Sequence, residues 1–162
     1  MNKFFICLLL FFPLWAEEVS SCPFCNLEVV QKQKVYEDDH IYILYHTQPI
    51  LPGHCLLVPK RHTSRYDELS HQEAISLLEG IKRLDVASLS IYRTQAYFLL
   101  QKTGSDAGQD YDHLVMEYLP RNKKDISDFK LMMRFMTQKG KRPLKDHELE
   151  AQKAPLGHFL SR

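Results

Sequence analysis

The stretch from Gly104 to Arg121, GSDAGQDYDHLVMEYLPR, constrains the fold more than any other part of this chain. Its glycine-rich start predicts a turn, and the residues that follow alternate in character up to a proline. Because strand side chains point to opposite faces with a period of two, His113, Val115 and Glu117 are expected to share one face. The stretch therefore predicts a strand that presents one imidazole, one aliphatic group and one carboxylate side by side.

Other segments predict the neighbours of this strand. β-Branched and aromatic runs occupy residues 35–45 (VYEDDHIYILY, with a turn inside), 54–58 (HCLLV) and 95–102 (QAYFLLQK). Ser70, with Glu73 three residues later, predicts a capping box at the start of a helix. Helical spacing of apolar residues predicts that its buried face is formed by Ala74, Ile75, Leu77, Leu78, Ile81 and Leu84. The element order predicts an α+β domain with an antiparallel sheet of about five strands packed by helices.

The first 16 residues predict a cleavable secretory signal. Lys3 is basic, residues 4–15 form an apolar run too short to span a bilayer, and Ala16 is small. We therefore expect an exported protein, periplasmic or secreted, with a domain over residues 17–121. Cleavage removes Cys7 and leaves three cysteines, an odd number that argues against a disulfide framework.

Residues 122–162 differ from the rest and are expected to form a helical, basic C-terminal extension. Residues 122–146 carry eight lysines and arginines against three aspartates, and apolar residues between 125 and 138 are spaced as in an amphipathic helix. Such a segment could contact an anionic surface or a protein partner, or simply present a solvated face. The net charge of the whole chain is only +1, so no nucleic-acid partner is expected.

The CPFC motif at residues 22–25 places two thiols one tight turn apart. That spacing suits a tetrahedral metal such as zinc, and it equally suits a redox dithiol. The dithiol interpretation expects a strand before the motif, and none is predicted there. Export to an oxidising compartment keeps it open as an alternative.

Three of these segments together resemble the histidine-triad (HIT) family. They are CPFC, the run PGHCLLVPKRH at residues 52–62, and the Gly-Gln turn that leads through His113 to Pro-Arg. The resemblance spans residues 22–121 and implies the HIT fold, a homodimer, and chemistry on nucleoside phosphates. Only the first triad histidine is present, because Val115 and Glu117 stand at the second and third positions.

The resemblance also implies a structural zinc ion. In zinc-bearing members of the family, the CxxC pair is joined by the histidine after Pro-Lys and by the first triad histidine, which correspond to His62 and His113. With Cys22 and Cys25 they make a Cys₂His₂ set, whose two thiolates neutralise the ion and leave no open position.

The family's catalytic and nucleotide-binding positions are altered. Val115 stands where the family has its histidine nucleophile, and an isopropyl group cannot attack phosphate. His54 and Glu117 remain as candidate catalytic groups. The positions implied to bind nucleotide are Gly108, Gln109, Asp110 (often serine in the family) and His46 (often acidic), and Lys102 or Gln101 replaces a usual asparagine. Asp110, Asp112 and Glu117 together predict an acidic pocket, and a carboxylate at Asp110 disfavours phosphate. We leave open whether the pocket has only lost its selection for phosphate, prefers a cation or an amine, or holds a catalytic carboxylate pair.

These observations lead to one main hypothesis and two alternatives. The main hypothesis is an exported, zinc-binding HIT-like protein that has lost its catalysis and has a binding or structural role. The first alternative is a nucleotide phosphoramidase or dinucleoside polyphosphate hydrolase. The second is an exported dithiol redox protein that uses Cys22 and Cys25.

Overall fold

The computed structural model describes residues 22–137 and 142–162, so the signal predicted over residues 1–16 lies outside the described part of the chain. The described elements are α1 (Leu27–Gln33), β1 (Lys34–Glu37), β2 (Ile41–Tyr45), β3 (Cys55–Pro59), α2 (His71–Tyr92), β4 (Tyr97–Gln101), β5 (Met116–Pro120), α3 (Asp128–Thr137) and α4 (Asp146–Leu160). They confirm the predicted α+β class. No helix within these two ranges is both long enough and apolar enough to cross a membrane.

The five strands form one antiparallel sheet in the order β1-β2-β3-β5-β4, which leaves β4 at an edge. The interior strand β2 is buried along its whole length because both faces of the sheet are covered. Ile41, Ile43 and Tyr45 join the core beneath α2 and α4. Tyr42 and Leu44 point to the opposite face, where they pack with α1.

Helix α2 begins with the predicted capping box. The Ser70 hydroxyl accepts a hydrogen bond from the Glu73 N–H, and the Glu73 carboxylate accepts one from the Ser70 N–H. The predicted buried face is partly wrong, because Ile75 and Leu78 are 46% and 61% exposed. At about 100° per residue, Ile75 lies about 160° and Leu78 about 100° round the helix from Leu77, which is buried against the sheet.

The strand predicted to start near His113 starts later, at Met116. Its pairing with β3 ends at Leu57, two residues before Pro59, which has no N–H to continue the ladder. The residues just before β5 are held differently, since the Leu114 N–H donates to the Thr63 carbonyl at 2.6 Å.

The C-terminal residues form α3 and α4, which pack on the same sheet. Leu131 and Phe135 of α3 are buried in an apolar cluster with residues of β4 and β5, on the face opposite α2. Leu149 and Leu156 of α4 belong to the main core. Each face of the sheet is therefore covered in part by a helix from beyond residue 122.

Candidate metal centre and ligand cavity

Four predicted ligands converge at one end of the sheet. Cys22 and Cys25 lie in a tight turn closed by a hydrogen bond from the Cys25 N–H to the Cys22 carbonyl. His62 follows the end of β3, and His113 precedes the start of the neighbouring strand β5. Because adjacent antiparallel strands run in opposite directions, the end of one meets the start of the other, and both histidines reach the turn.

The distances in this cluster fit a tetrahedral metal ion. The Cys22 sulfur lies 3.4 Å from His113 Nδ1, and the Cys25 sulfur lies 3.1 Å from His62 Nδ1 and 3.7 Å from His113 Nδ1. All four donor atoms lie within 4.8 Å of one another. Ligands about 2.3 Å (sulfur) and 2.0 Å (nitrogen) from one zinc at the tetrahedral angle would be about 3.5 Å apart. The three sulfur–nitrogen distances are close to this value, so the cluster could hold a zinc ion.

A further hydrogen bond prepares His113 to be a ligand. Its Nε2 lies 2.9 Å from the Pro59 carbonyl oxygen, which can only accept, so Nε2 carries the proton and Nδ1 presents its lone pair to the cysteines. Burial lowers the pKa of His113, which favours the neutral ring. The Phe24 ring covers this side edge-on, with centroids 5.6 Å apart.

A cavity of about 110 Å³ lies beside the metal cluster, and we call it the main cavity. Its lining residues are Phe24, His46, Leu56, Lys102, Gln109, Asp110, Tyr111, His113, Val115 and Glu117. His113, Val115 and Glu117 thus share one face, as the alternation predicts. Leu114 and Tyr118 point the other way, into the core under α2.

The cavity is less acidic than predicted. Asp112 is exposed and does not line it. The Asp110 carboxylate lies 3.7 Å from the ammonium of Lys102, whose side chain is only 10% exposed. The prediction that three carboxylates make this pocket acidic is therefore wrong for Asp112, while Asp110 and Glu117 line the cavity as predicted and Lys102 offsets part of their charge. Gln101, the other residue considered for the position of Lys102, accepts a hydrogen bond from Tyr66.

The turn at residues 104–109 is fixed by a glycine conformation and by the hydrogen bonds of the Gln109 side chain. Gly108 adopts a left-handed backbone with φ of 77°, which favours glycine. The Gln109 amide accepts a hydrogen bond from the Gly104 N–H and donates one to the His113 carbonyl. Gln109 lines the main cavity, yet both ends of its amide are used to fix the turn next to the metal cluster.

His54 and Glu117 form a buried pair. His54 Nε2 lies 2.9 Å from the Glu117 carboxylate, and the Ile50 N–H donates to His54 Nδ1 at 3.3 Å. Because Nδ1 accepts a backbone N–H, Nε2 carries a proton and donates a hydrogen bond to the Glu117 carboxylate. Both ring nitrogens are therefore engaged.

His46 stacks on His54, with ring centroids 4.3 Å apart. Its Nδ1 accepts a hydrogen bond from the Gln48 N–H at 2.8 Å. Burial, together with the neighbouring His54, lowers the pKa of His46 to about 3, so this ring is neutral at physiological pH.

A second, smaller cavity of about 40 Å³ adjoins the same residues, and we call it the side cavity. Its lining residues are His46, Gln48, Ile50, His54, Glu117, Arg134 and Phe135. Sequence reasoning missed Arg134 as a site residue. No local pattern could have identified it, because it reaches the cavity only through the packing of α3 on the sheet.

The fold and the site together define an α+β domain of the histidine-triad type, with a Cys₂His₂ cluster beside a histidine-lined cavity. Residues 28–124 match the model of the HIT domain. The chain therefore belongs to the HIT family.

Two curated relatives illustrate the range of similarity. An uncharacterised HIT-like protein of Methanocaldococcus jannaschii is 31% identical over 106 residues, which are 64% of this chain and 81% of that protein. The asymmetrical bis(5′-nucleosyl)-tetraphosphatase of Schizosaccharomyces pombe is 31% identical over 81 residues, which are 50% of this chain and 44% of that enzyme. The chain thus spans less than half the length of the second relative.

Solved structures show the same fold at lower identity. A histidine-triad nucleotide-binding protein of Sulfolobus tokodaii superposes with a TM-score of 0.68 at 22% identity, over 86% of this chain and 92% of that one. A zinc-bound histidine-triad family protein of Mycobacterium smegmatis gives a TM-score of 0.64 at 20% identity, over 87% and 96% of the two chains.

Proposed function

We propose that this chain is an exported HIT-family protein that holds one structural zinc ion and has lost nucleotide hydrolysis, keeping a binding or structural role. The observation that carries the proposal is the position of Val115. Its side chain lines the main cavity on the same face as His113 and Glu117, where the family resemblance puts the nucleophile. An aliphatic group there cannot form a phosphoryl intermediate.

The other groups around the cavity are already engaged. The ring nitrogens of His113 face the cysteines and the Pro59 carbonyl, and those of His54 face Ile50 and Glu117. Asp110 lies against Lys102. None of these groups combines a free lone pair with a neighbouring base, which is the arrangement that activates a nucleophile.

Zinc is the metal that the donor set supports best. Two thiolates and two imidazoles are typical of closed structural zinc sites, and the zinc-bound Mycobacterium smegmatis protein shares the fold. His62 and His113 both approach Cys25, which favours a metal ligand set over the alternative of a redox dithiol. The zinc would tie the segment before α1 to the ends of β3 and β5. Metal content separates the two interpretations, since a redox dithiol cycles without zinc.

Turnover of an adenosine 5′-phosphoramidate by the zinc-loaded protein tests the loss of catalysis. We expect no turnover by the wild type, and activity in a variant that carries both Val115→His and Glu117→His. Wild-type turnover above background that disappears in Glu117→Ala would refute the proposal.

That last outcome would support the second candidate, a nucleotide hydrolase or phosphoramidase that uses another nucleophile. The names of two relatives favour it: the tetraphosphatase of Schizosaccharomyces pombe and a bis(5′-adenosyl)-triphosphatase of Dictyostelium discoideum, 26% identical over 98 residues. In this chain Glu117 is the group that would have to attack phosphorus, because a carboxylate can form a covalent intermediate.

We also propose a homodimer through the edge strand β4. Within the described residues β4 pairs only with β5, so its other edge offers unpaired backbone groups. Leu99 on this strand is 40% exposed, and Tyr97 is 36% exposed. The exposed Leu78 and Leu89 of α2 add apolar surface on the face of the sheet that α2 covers.

The molar mass in solution, measured by light scattering, tests the dimer. We expect a dimer for the wild type and a monomer for Leu99→Arg, because burying an unpaired guanidinium opposes association. The matched control is Leu27→Arg on α1, where the side chain is 65% exposed. A monomeric wild type, or a dimer that survives Leu99→Arg, would contradict this interface.

A further inference from the structure

Glu117 is a carboxylate in the middle of a sheet. Its strand neighbours are Leu56 on β3 and Leu100 on β4, and only 17% of its side chain is exposed. Within the described residues it has no lysine or arginine within 4.0 Å, and its hydrogen-bond partner is Nε2 of His54. Covering a charge in this way is costly unless the surroundings are built to accept one.

The hydrogen bonds around Glu117 identify these surroundings as donors. His54 and His46 each accept a backbone N–H at Nδ1, so each carries its proton on Nε2. The Nε2–H of His54 donates a hydrogen bond to the Glu117 carboxylate. A ring nitrogen of His46 lies within 4.8 Å of the same carboxylate.

The same assignment argues against a second metal site. Two histidines and one carboxylate within 4.8 Å could in principle bind a transition metal. A metal at Nε2 of either ring would need the lone pair that the Nδ1 hydrogen bonds have moved to the other nitrogen. The arrangement suits an anion and opposes a cation.

A cationic side chain lines each of the two cavities beside Glu117. Glu117 and His46 line the main cavity and the side cavity, so the carboxylate stands where the two meet. Lys102 lines the first cavity and Arg134 lines the second, and within the described residues Arg134 has no ion-pair partner. Lys102 also lies 3.7 Å from Asp110, so removing the Glu117 side chain would leave Arg134 as the uncompensated cation beside the space.

We propose that the Glu117 carboxylate occupies an oxyanion site formed by His54, Lys102 and Arg134, and so makes the intact protein reject phosphate and phosphate monoesters. This inference rests on the proposed function in that it concerns the same cavity and names what that cavity excludes. Glu117 is then a specificity-determining residue. Its own carboxylate supplies the negative charge that a phosphate group would otherwise bring.

Binding of inorganic phosphate to the zinc-loaded protein, followed by calorimetry and by the NMR signals of the histidine rings, tests the proposal. We expect Glu117→Ala to bind at least about tenfold more tightly than the wild type, because it removes a repelling charge and opens the space. Glu117→Gln removes the charge but keeps the volume, and we expect a smaller gain. The double variant Glu117→Ala with Arg134→Ala should lose most of the gain.

The matched control is Glu79→Ala, which removes an exposed carboxylate on α2 that pairs with Lys82. It should bind phosphate no better than the wild type. The proposal would be overturned if Glu117→Ala bound phosphate no more tightly than the wild type.

The two hypotheses about this cavity can be told apart. Turnover of the phosphoramidate by the wild type would contradict both, because that substrate carries the charged phosphorus group that Glu117 is proposed to exclude. Absence of turnover, with no gain in either Glu117 variant, would support the loss of catalysis and refute the site.

Discussion

Glu73 joins the start of α2 to the segment that carries the candidate metal ligand His62. Its two carboxylate oxygens accept hydrogen bonds from Arg61 Nε at 2.9 Å and Nη2 at 2.8 Å, and one of them also accepts the Ser70 N–H at 2.7 Å. Glu73 is 5% exposed. We predict that Glu73→Gln destabilises the protein at neutral pH, because it removes the charge that Arg61 pairs with and keeps the size of the side chain.

The magnitude follows from the pKa of this carboxyl. The hydrogen bonds from Arg61, assisted by the Ser70 N–H, lower the pKa of Glu73 from 4.5 to about 2. Each pH unit of such a difference corresponds to about 1.4 kcal/mol, which gives an upper bound of about 3 kcal/mol. The Arg61 side chain is 51% exposed, so solvent screens the pair, and we expect a loss of about 1–2 kcal/mol.

Urea unfolding of wild type and variant, each at several pH values, measures this difference in the free energy of unfolding. Because the pKa is lower in the folded state, the stabilisation is complete above the unfolded pKa of about 4.5 and is lost as the pH falls towards 2. The difference between wild type and variant should therefore shrink over that interval. Comparing the two proteins under the same metal conditions cancels the effect of acid on the zinc ligands.

The matched control is Glu79→Gln on the same helix, where the pair with Lys82 is exposed at both ends. It should cost less than about 0.5 kcal/mol. A difference below that value for Glu73→Gln at pH 7, or one that stays constant from pH 5 to pH 2, would refute the reasoning.

Two further predictions concern the metal and the turn before β3. The protein should contain one zinc per chain by elemental analysis. Cys25→Ala should lose this zinc, and His46→Ala should keep it. A second metal ion that is lost in His46→Ala would contradict the assignment of the histidine protons. Gly53→Ala should lower the free energy of unfolding by about 2–4 kcal/mol, because Gly53 has a φ of 81° and an added Cβ would lie 2.5 Å from the Tyr92 ring. A loss below about 1 kcal/mol in urea unfolding would show that the turn accommodates a side chain.

Local pattern was sufficient for most elements of the fold. The β-branched runs, the capping box at Ser70 and the turn at Gly108 depend on residues within a few positions of each other, and they appear where the sequence predicts them. The exposed positions of α2 were not predictable in the same way. Ile75 and Leu78 are as apolar as Leu77, and only the side on which the sheet lies decides which of them is buried.

The four candidate metal ligands were also predicted from the sequence, because the resemblance to the HIT family assigns them to short motifs, and the fold brings them together. The charge around the main cavity and the side cavity depended on the tertiary structure. Lys102 offsets Asp110, Asp112 points to solvent, and Arg134 arrives from a helix far along the chain. Hydrogen-bond polarity is likewise a property of the folded chain, since the backbone N–H groups of the loop before β3 decide which nitrogen of His46 and His54 carries the proton. The sequence alone thus determined which groups are available, and packing decided their neighbours, their protons and the sign of the charge they face.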